Sequence, residues 1–308
     1  MENIDELKRQ AEETRERLRR DFEEVGEILR KIAEEAGKKG RTKAEEAMQR
    51  AERRLEGTVE RVERRIDKAM AIVTEPSIDA GGVVTKELDF TDFTNVEIGH
   101  AFRVEITRSD SYRVTITASE KLVDHIDVTK SGNTLKISLK PLRFHMRPTM
   151  EARIAMPTLN KLRLAGATKG VVRGFSSQEG FDLNLSGAST LDIDAEAGEA
   201  KFEISGASRL SGNIKVGDAE FTLSGASRAE LSGSAKKVIL SAWGASKLDL
   251  ADFALNDTSV HLKGASQATV NVNGELNLDL SGCSVLKYAG NPTLRDIDIS
   301  GASMLSHR

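Results

Sequence analysis

The side chains most often used for catalysis or metal binding are few in this 308-residue sequence. A single cysteine, Cys283, excludes a disulfide framework and a zinc site built from several thiolates. The five histidines share no ligand spacing; they are His100, His125, His145, His261 and His307. The calcium-binding Gly-Gly-x-Gly-x-Asp nonapeptide of some β-helices is also absent. We therefore expect no metal site and no cofactor.

Serine recurs at a regular interval in the second part of the chain. Each copy follows a glycine and a small residue, and the copies are Ser189, Ser208, Ser227, Ser246, Ser266, Ser284 and Ser303. A row of exposed hydroxyls could bind a ligand or carry glycans. We favour a hydrogen-bonded row at a chain corner, because serine is small and bonds readily to nearby backbone. Cys283 replaces the alanine of one copy, which predicts a buried and inert thiol.

The sequence has one tryptophan, Trp243, directly before Gly244. The equivalent position in other copies holds polar residues, namely Ser186, Ser205, Ser224, Lys263, Ser281 and Ser300. This outward position predicts an exposed indole that could anchor a partner or stack on a sugar. The alternative is a local register shift that buries the indole. Ala242, which stands where leucine is usual, makes such a shift plausible.

A repeat of about nineteen residues must position these side chains. The Gly-Ala-Ser-like motif occurs eight times, with glycine-to-glycine steps of 21, 19, 19, 19, 20, 18 and 19 residues. Apolar residues alternate on both sides of each glycine, which is typical of short strands with one buried face. The pattern predicts a solenoid of stacked turns, a parallel β-helix, over residues 83–308. Residues 83–165 are less regular and are interpreted as its opening turns.

No column of acidic or basic residues is evident in these repeats. Some parallel β-helices cleave acidic polysaccharides with clustered Asp, Arg and Lys on one face. The candidate aspartates are scattered among positions expected to face solvent; they are Asp192, Asp194, Asp249 and Asp252. We therefore expect that the protein is not an enzyme. A polysaccharide lyase is the least favoured alternative.

The first 75 residues have a different character. They contain 19 Lys or Arg and 20 Asp or Glu, and their apolar residues recur three or four positions apart. This spacing predicts two amphipathic helices that pair as a hairpin or coiled coil, followed by a linker over residues 76–82. The predicted self-association residues are Leu18, Val25, Leu29, Leu55, Val62 and Ile66. A membrane-surface helix, a helix docked on the second domain and a flexible charged helix remain alternatives.

Charge and hydropathy narrow the function classes. The net charge of −3 argues against a nucleic-acid binder, which needs a basic surplus. No run of 18 or more apolar residues predicts a transmembrane helix. The acidic start of the sequence shows no signal peptide, so the sequence as given predicts a cytoplasmic protein.

Several segments resemble the head GIN domain family, the putative auto-transporter adhesins, over about residues 82–306. The resemblance rests on residues 84–98, the segment Phe102–Thr107, Ser131–Ile137, Met156–Leu159 and the Gly-Ala-Ser repeats. It implies a right-handed parallel β-helix, often on exported bacterial proteins, and it implies no established activity. The family therefore suggests an exported or surface protein as the alternative location.

The sequence ends inside a repeat, with Met304 and Leu305 in the last apolar positions. Solenoid ends usually need caps, so we expect these two residues to pair end to end with another copy. The leading hypothesis is thus a non-catalytic structural or interaction protein that associates with itself through its helices, its open end or both. The alternative is a module that binds a glycan or another cell-envelope ligand.

Overall fold

The computed structural model describes residues 82–140 and 150–308. Within these ranges the protein is mainly β, with a short 3₁₀ helix at Val123–His125. The strands are β1 (Val83–Leu88), β2 (Asn95–Ile98), β3 (Arg103–Arg108), β4 (Arg113–Ser119), β5 (Ile126–Ser131), β6 (Thr134–Leu139), β7 (Met150–Met156), β8 (Lys161–Leu164), β9 (Lys169–Ser176), β10 (Phe181–Leu185), β11 (Thr190–Ile204), β12 (Arg209–Leu223), β13 (Arg228–Ala242), β14 (Lys247–Leu262), β15 (Gln267–Val272), β16 (Glu275–Leu280), β17 (Val285–Ala289), β18 (Thr293–Ile299) and β19 (Met304–His307).

From β8 onward the strands stack in parallel as a β-solenoid, and the described chain forms about eight turns. The nineteen-residue repeat sets the register directly. Leu191 pairs with Leu210, and Leu210 pairs with Ala229, each partner lying 19 residues further along the chain. The solenoid predicted from the repeat is therefore confirmed.

The opening turns do not stack in chain order. The turn formed by β2 and β3 lies between the turn of β6 and β7 and the turn of β8 and β9. Three strand pairs in this region are also antiparallel: β1 with β4, β4 with β7, and β5 with β6. The interpretation of residues 83–165 as opening turns did not include this stacking order or the antiparallel pairs. The physical result is a cover over the first edge of the stack, because β4 and β5 occupy the pairing positions that β7 and β6 would otherwise leave open.

The interior consists of stacked aliphatic side chains with a short aromatic stack. One buried row runs through Ile204, Leu223, Ala242, Leu262 and Leu280, with one residue from each turn. Beside it, the rings of Phe202 and Phe221 stack with centroids 4.6 Å apart and planes 10° apart. Such thin turns bury their apolar side chains without many aromatic residues, which accounts for an aromatic content of only 4%.

The backbone approaches itself most closely at the repeated glycines. The carbonyl of Gly206 accepts the amide of Ala226 at 2.8 Å, and Gly225 has φ of +78°. A Cβ added to Gly225 would lie 2.6 Å from the Gly206 carbonyl oxygen. The glycine therefore supplies both the left-handed conformation and the space that this stacking needs. His100 occupies the equivalent position one turn before Gly166, with φ of +70° and its carbonyl accepting the Ala167 amide at 2.9 Å.

The predicted helices of residues 1–75 and all but the last residue of the predicted linker lie outside the described residues. The pairing assigned to Leu18, Val25, Leu29, Leu55, Val62 and Ile66 therefore stays a prediction.

We predict that Gly225→Ala destabilises the protein by about 3 kcal/mol or more, because strain at positive φ adds to the overlap with the Gly206 carbonyl. Gly132→Ala is the matched control, since Gly132 also has positive φ but a Cβ there would meet no atom within 4 Å. The control should lose only about 1 kcal/mol. Urea unfolding of both variants measures the difference. Equal losses would show that close stacking at the corner contributes nothing.

Candidate binding surface

The Gly-Ala-Ser corner places two outward rows on either side of a ridge of glycine and alanine. We call the row before the glycines the leading row; it comprises Ala165, Ser186, Ser205, Ser224, Trp243, Lys263, Ser281 and Ser300. Because a strand alternates its side chains, the serine after the ridge points inward and the next residue points outward again. The corner therefore exposes two parallel lines of side chains separated by small residues.

The serine row of the corner is buried. Ser227 Oγ donates to the Ser224 carbonyl at 2.6 Å, and Ser266 Oγ donates to the Lys263 carbonyl at 3.0 Å. Ser189, Ser246 and Ser284 bond the carbonyl three residues earlier in the same way. The geometry agrees with a hydrogen-bonded corner and excludes these serines as an exposed binding or glycosylation strip.

Trp243 projects from the leading row with 46% of its surface exposed. Ala242 before it is buried and pairs with Leu262 in the regular register, so no register shift buries the indole. Ile239, on the same outward side of this turn, is 52% exposed. Two large apolar side chains thus face solvent together at one turn. Whether Trp243 contacts a partner stays a prediction.

The outward row after the ridge is strongly basic. We call Arg103, Lys169, Thr190, Arg209, Arg228 and Lys247 the basic row; each residue pairs in register with the next. Strands lie about 4.8 Å apart, so the row is about 24 Å long. It contains five cations and no carboxylate. The expectation that no basic column recurs was therefore wrong.

The signal for this row was present in the sequence. Lys169, Arg209, Arg228 and Lys247 each follow directly after a Gly-Ala-Ser or Gly-Ala-Thr motif. Arg103 could not be assigned without the structure, because its turn stacks out of chain order and has no such motif.

The next outward row carries carboxylates, and each already has a partner. Arg173 Nη2 lies 3.1 Å from Asp192, and Arg153 Nε lies 3.6 Å from Glu105. Arg228 Nη2 lies 4.0 Å from Glu230, and Asp249 accepts the Ala251 amide at 3.2 Å. Within the described ranges, the side chains of Arg103, Lys169 and Lys247 make no ion pair or hydrogen bond. The basic row therefore keeps uncompensated positive charge.

The concave features of the described surface are modest. A pocket of about 70 Å³ lies between Leu159, Phe175 and Phe181, and is smaller than typical ligand sites. A depression of about 330 Å³ over β3, β4 and β7 is lined by Arg113 and Arg153, whose charges are paired with Glu87 and Glu105. Binding by this protein would therefore use a ridge more readily than a cavity.

Among the described residues, the shifted pKa values do not indicate a catalytic acid, base or nucleophile. Hydrogen bonds from Lys215 and Ser176 lower the pKa of the exposed Glu196 carboxyl. Burial raises the pKa of the Cys283 thiol, so this thiol is a poor nucleophile. Cys283 is only partly buried, contrary to expectation, because the alanine position that it occupies lies on the ridge.

Among residues 82–140 and 150–308, no group of three His, Cys, Asp or Glu side chains could hold a metal ion.

The last turn of the described chain exposes apolar side chains. Every residue of β18 is exposed, with Ile297 at 48%, and β18 pairs only with β16. Met304 is exposed and Leu305 is partly buried. This edge contrasts with the opposite edge, which β4 and β5 cover.

Residues 92–292 match the family described as putative auto-transporter adhesin, head GIN domain. The chain belongs to this family. The head GIN match spans the turns from β2 to the start of the last turn, and it includes the whole basic row and the leading row as far as Ser281. The family resemblance inferred from the sequence is confirmed.

Solved structures share this fold at low sequence identity. A protein from Parabacteroides merdae, described as a putative adhesin, matches with a TM-score of 0.70 and 15% identity, over 74% of this chain and 97% of its own. A protein from Parabacteroides distasonis, described as a putative lipid binding protein, matches with a TM-score of 0.67, 15% identity and the same coverage. No curated protein matches the sequence. At this identity the likeness establishes the head GIN fold alone.

We predict that Ser227→Ala destabilises the protein by about 1–2 kcal/mol, because it removes a buried donor from the Ser224 and Ile204 carbonyls. Ser208→Ala is the matched control, since the buried Ser208 hydroxyl has no partner. The control should leave stability unchanged or slightly higher. Thermal unfolding of both variants provides the comparison. A loss at Ser208 as large as at Ser227 would contradict a hydrogen-bonding role.

Proposed function

We propose that the protein is a non-catalytic, adhesin-like binding protein that presents its ligand contacts on the rigid corner of a β-solenoid. The observation that carries the proposal is the exposed Trp243, with Ile239 exposed on the same side four residues earlier in the same turn. Exposed aromatic side chains on a rigid scaffold are typical binding anchors, because they offer large contact area with little loss of conformational entropy. Membership of the adhesin family supports the same class of function.

The absence of catalysis is supported by the state of the charged groups. The carboxylates near the corner are engaged with arginines or backbone, and burial makes the Cys283 thiol less reactive. A general acid or base needs a poised pKa and a substrate site that holds the reacting atom. The 70 Å³ pocket is small for such a site.

We place the protein at the cell surface or outside the cell. The family description, an auto-transporter adhesin, favours this location over the cytoplasmic one that the sequence start suggested. In the described part of the chain, no helix is long and apolar enough to span a bilayer.

The ligand class that best fits the corner is a glycan or another cell-envelope component. Trp243 offers a ring on which a sugar can stack, and Ser224 and Lys263 flank it along the leading row. A structural relative is described as a putative lipid binding protein, which is compatible with an envelope ligand.

A second proposed function is self-association through the last turn. Its supporting observation is the contrast between the covered first edge and the exposed apolar last edge, where Leu294, Ile297, Ile299 and Met304 face solvent. Unpaired strands readily pair with another chain. The helices predicted from the sequence of residues 1–75 would add a second contact between copies.

We predict that purified wild-type protein binds to some members of a panel of bacterial and animal cells, and that Trp243→Ser weakens this binding about tenfold or more. Serine is the usual residue of the leading row, so the variant should fold normally. Val83→Ser is the matched control, because Val83 is 62% exposed but lies on β1, in the cover of the first edge. Fluorescence binding curves measure the effect. Absence of binding to every cell type, or equal binding by Trp243→Ser, would contradict the proposal.

We also predict that the full chain self-associates and that Ile297→Lys together with Ile299→Lys shifts it toward monomers, because two charges would then lie in the paired edge. Sedimentation equilibrium measures the mass at several concentrations. Val83→Lys is the control for adding charge at an exposed apolar position. A second variant, Leu29→Ser with Leu55→Ser, tests the helical contact separately. A monomeric wild-type chain would refute both contacts.

A further inference from the structure

We infer that the basic row binds a linear acidic polysaccharide laid along the corner, with carboxylates on the arginines and lysines and a sugar ring on Trp243. This inference deepens the proposed adhesin-like function by naming its ligand class. It begins from the register, which places five cations in one line over six successive turns.

The basic row carries charge that the fold itself does not require. Like charges placed directly opposite on neighbouring strands destabilise a sheet. The neighbouring carboxylates neutralise the row only in part, because Glu230 pairs with Arg228 whereas Asp192 and Glu105 pair with arginines outside the row. Arg103, Lys169 and Lys247 make no ion pair or hydrogen bond with their side chains in the part of the chain that the structure describes. A bound polyanion would supply the missing countercharges.

The shape of the row favours a linear polymer. The cations follow a ridge about 24 Å long, at intervals of about 4.8 Å or twice that distance. This interval is close to the length of one sugar unit in an extended chain, so successive uronic acid carboxylates can meet successive cations. An isolated lipid headgroup is instead held by a basic pocket, and the row is not a pocket.

The leading row adds contacts that suit sugars. Trp243 and Lys247 belong to the same turn and stand on opposite sides of the ridge residues Gly244 and Ala245. The apolar face of a sugar ring can stack on the indole while its carboxylate reaches Lys247. Ser205 and Ser224 place hydroxyls on the two preceding turns, beside Arg209 and Arg228. A single-stranded nucleic acid would instead need several aromatic stacking platforms, and Trp243 is the one exposed aromatic side chain among residues 82–140 and 150–308.

The polymer would end where the charge ends. Beyond Lys247 the same row continues with Gln267, Val285 and Met304, and before Arg103 it reaches Glu151. The site therefore has defined limits, with an uncharged border at one end and a carboxylate at the other. A ligand of about six sugar units would cover it, one unit per turn.

The test uses the full-length protein with polygalacturonate as the probe, measured by isothermal titration calorimetry at two salt concentrations. We expect binding that weakens at high salt. The triple variant Arg103→Gln, Lys169→Gln, Lys247→Gln should bind about tenfold more weakly or not at all, because three exposed charge contacts are lost. These three side chains have no ion pairs in the described ranges, so the variant should remain folded.

The matched control is Lys130→Gln, Lys236→Gln, Lys237→Gln, which changes the net charge equally at exposed positions outside the basic row. It should bind like wild type. Dextran should not bind, since it is neutral. Vesicles of anionic phospholipid and a single-stranded oligonucleotide should bind at least tenfold more weakly than polygalacturonate. Comparable binding of either, equal affinity of the two triple variants, or no binding of polygalacturonate would overturn the inference.

The test of the polysaccharide inference can fail independently of the test of the adhesin-like function. If wild-type protein binds cells and the basic-row variant binds them equally well, the polysaccharide inference fails while the adhesin-like function stands. If no cell type is bound, the adhesin-like function fails, and the polygalacturonate titration still decides the ligand class.

Discussion

The structure depends on one backbone contact, the close approach of successive turns at the Gly-Ala-Ser corner. Each corner glycine from Gly166 to Gly282 accepts, through its carbonyl, the amide of the residue that follows the corner glycine of the next turn, as Gly187 does from Ala207 at 2.7 Å. A side chain at Gly225 would overlap the carbonyl of Gly206, so residues with a Cβ do not fit there. This contact fixes the height of each turn. It therefore fixes which residues lie side by side along the whole stack.

A fixed register converts a linear repeat into rows with separate physical roles. The inward rows must stay apolar or hydrogen-bonded, as Leu223 and Ser227 are. The outward rows are free to vary, because a solvated side chain there changes stability little. Departures from the usual residue in an outward row are thus the places where function can be sought. Trp243 is one such departure, and the basic row, in which one sign of charge recurs, lies on the other side of the same ridge.

The sequence predicted those parts of the fold that repeat, and it failed where pairing is not local. The glycine period predicted the solenoid, the hydrogen-bonded serine row at the corner and the outward position of Trp243. It could not predict that β2 and β3 stack between later turns, since that order depends on contacts between segments with no shared motif. The basic row was not predicted, because four of its cations stand directly after the Gly-Ala-Ser or Gly-Ala-Thr motif and not within it. Its first member, Arg103, could not be predicted, because the turn that contains it stacks out of chain order.

Electrostatic energies show why the basic row is more informative than an ordinary charged surface. Two unit charges 4.8 Å apart repel by about 0.9 kcal/mol in water before salt screening. Arg209, Arg228 and Lys247 stand on three consecutive turns, so this repulsion recurs along the row. Elsewhere on the solenoid opposite charges are neighbours, as for Lys215 and Glu196 at 3.1 Å or Arg295 and Glu275 at 2.8 Å. A surface that pairs its charges in other rows but aligns like charges beside its exposed tryptophan is arranged to meet an anion there, because folding alone gains nothing from that alignment.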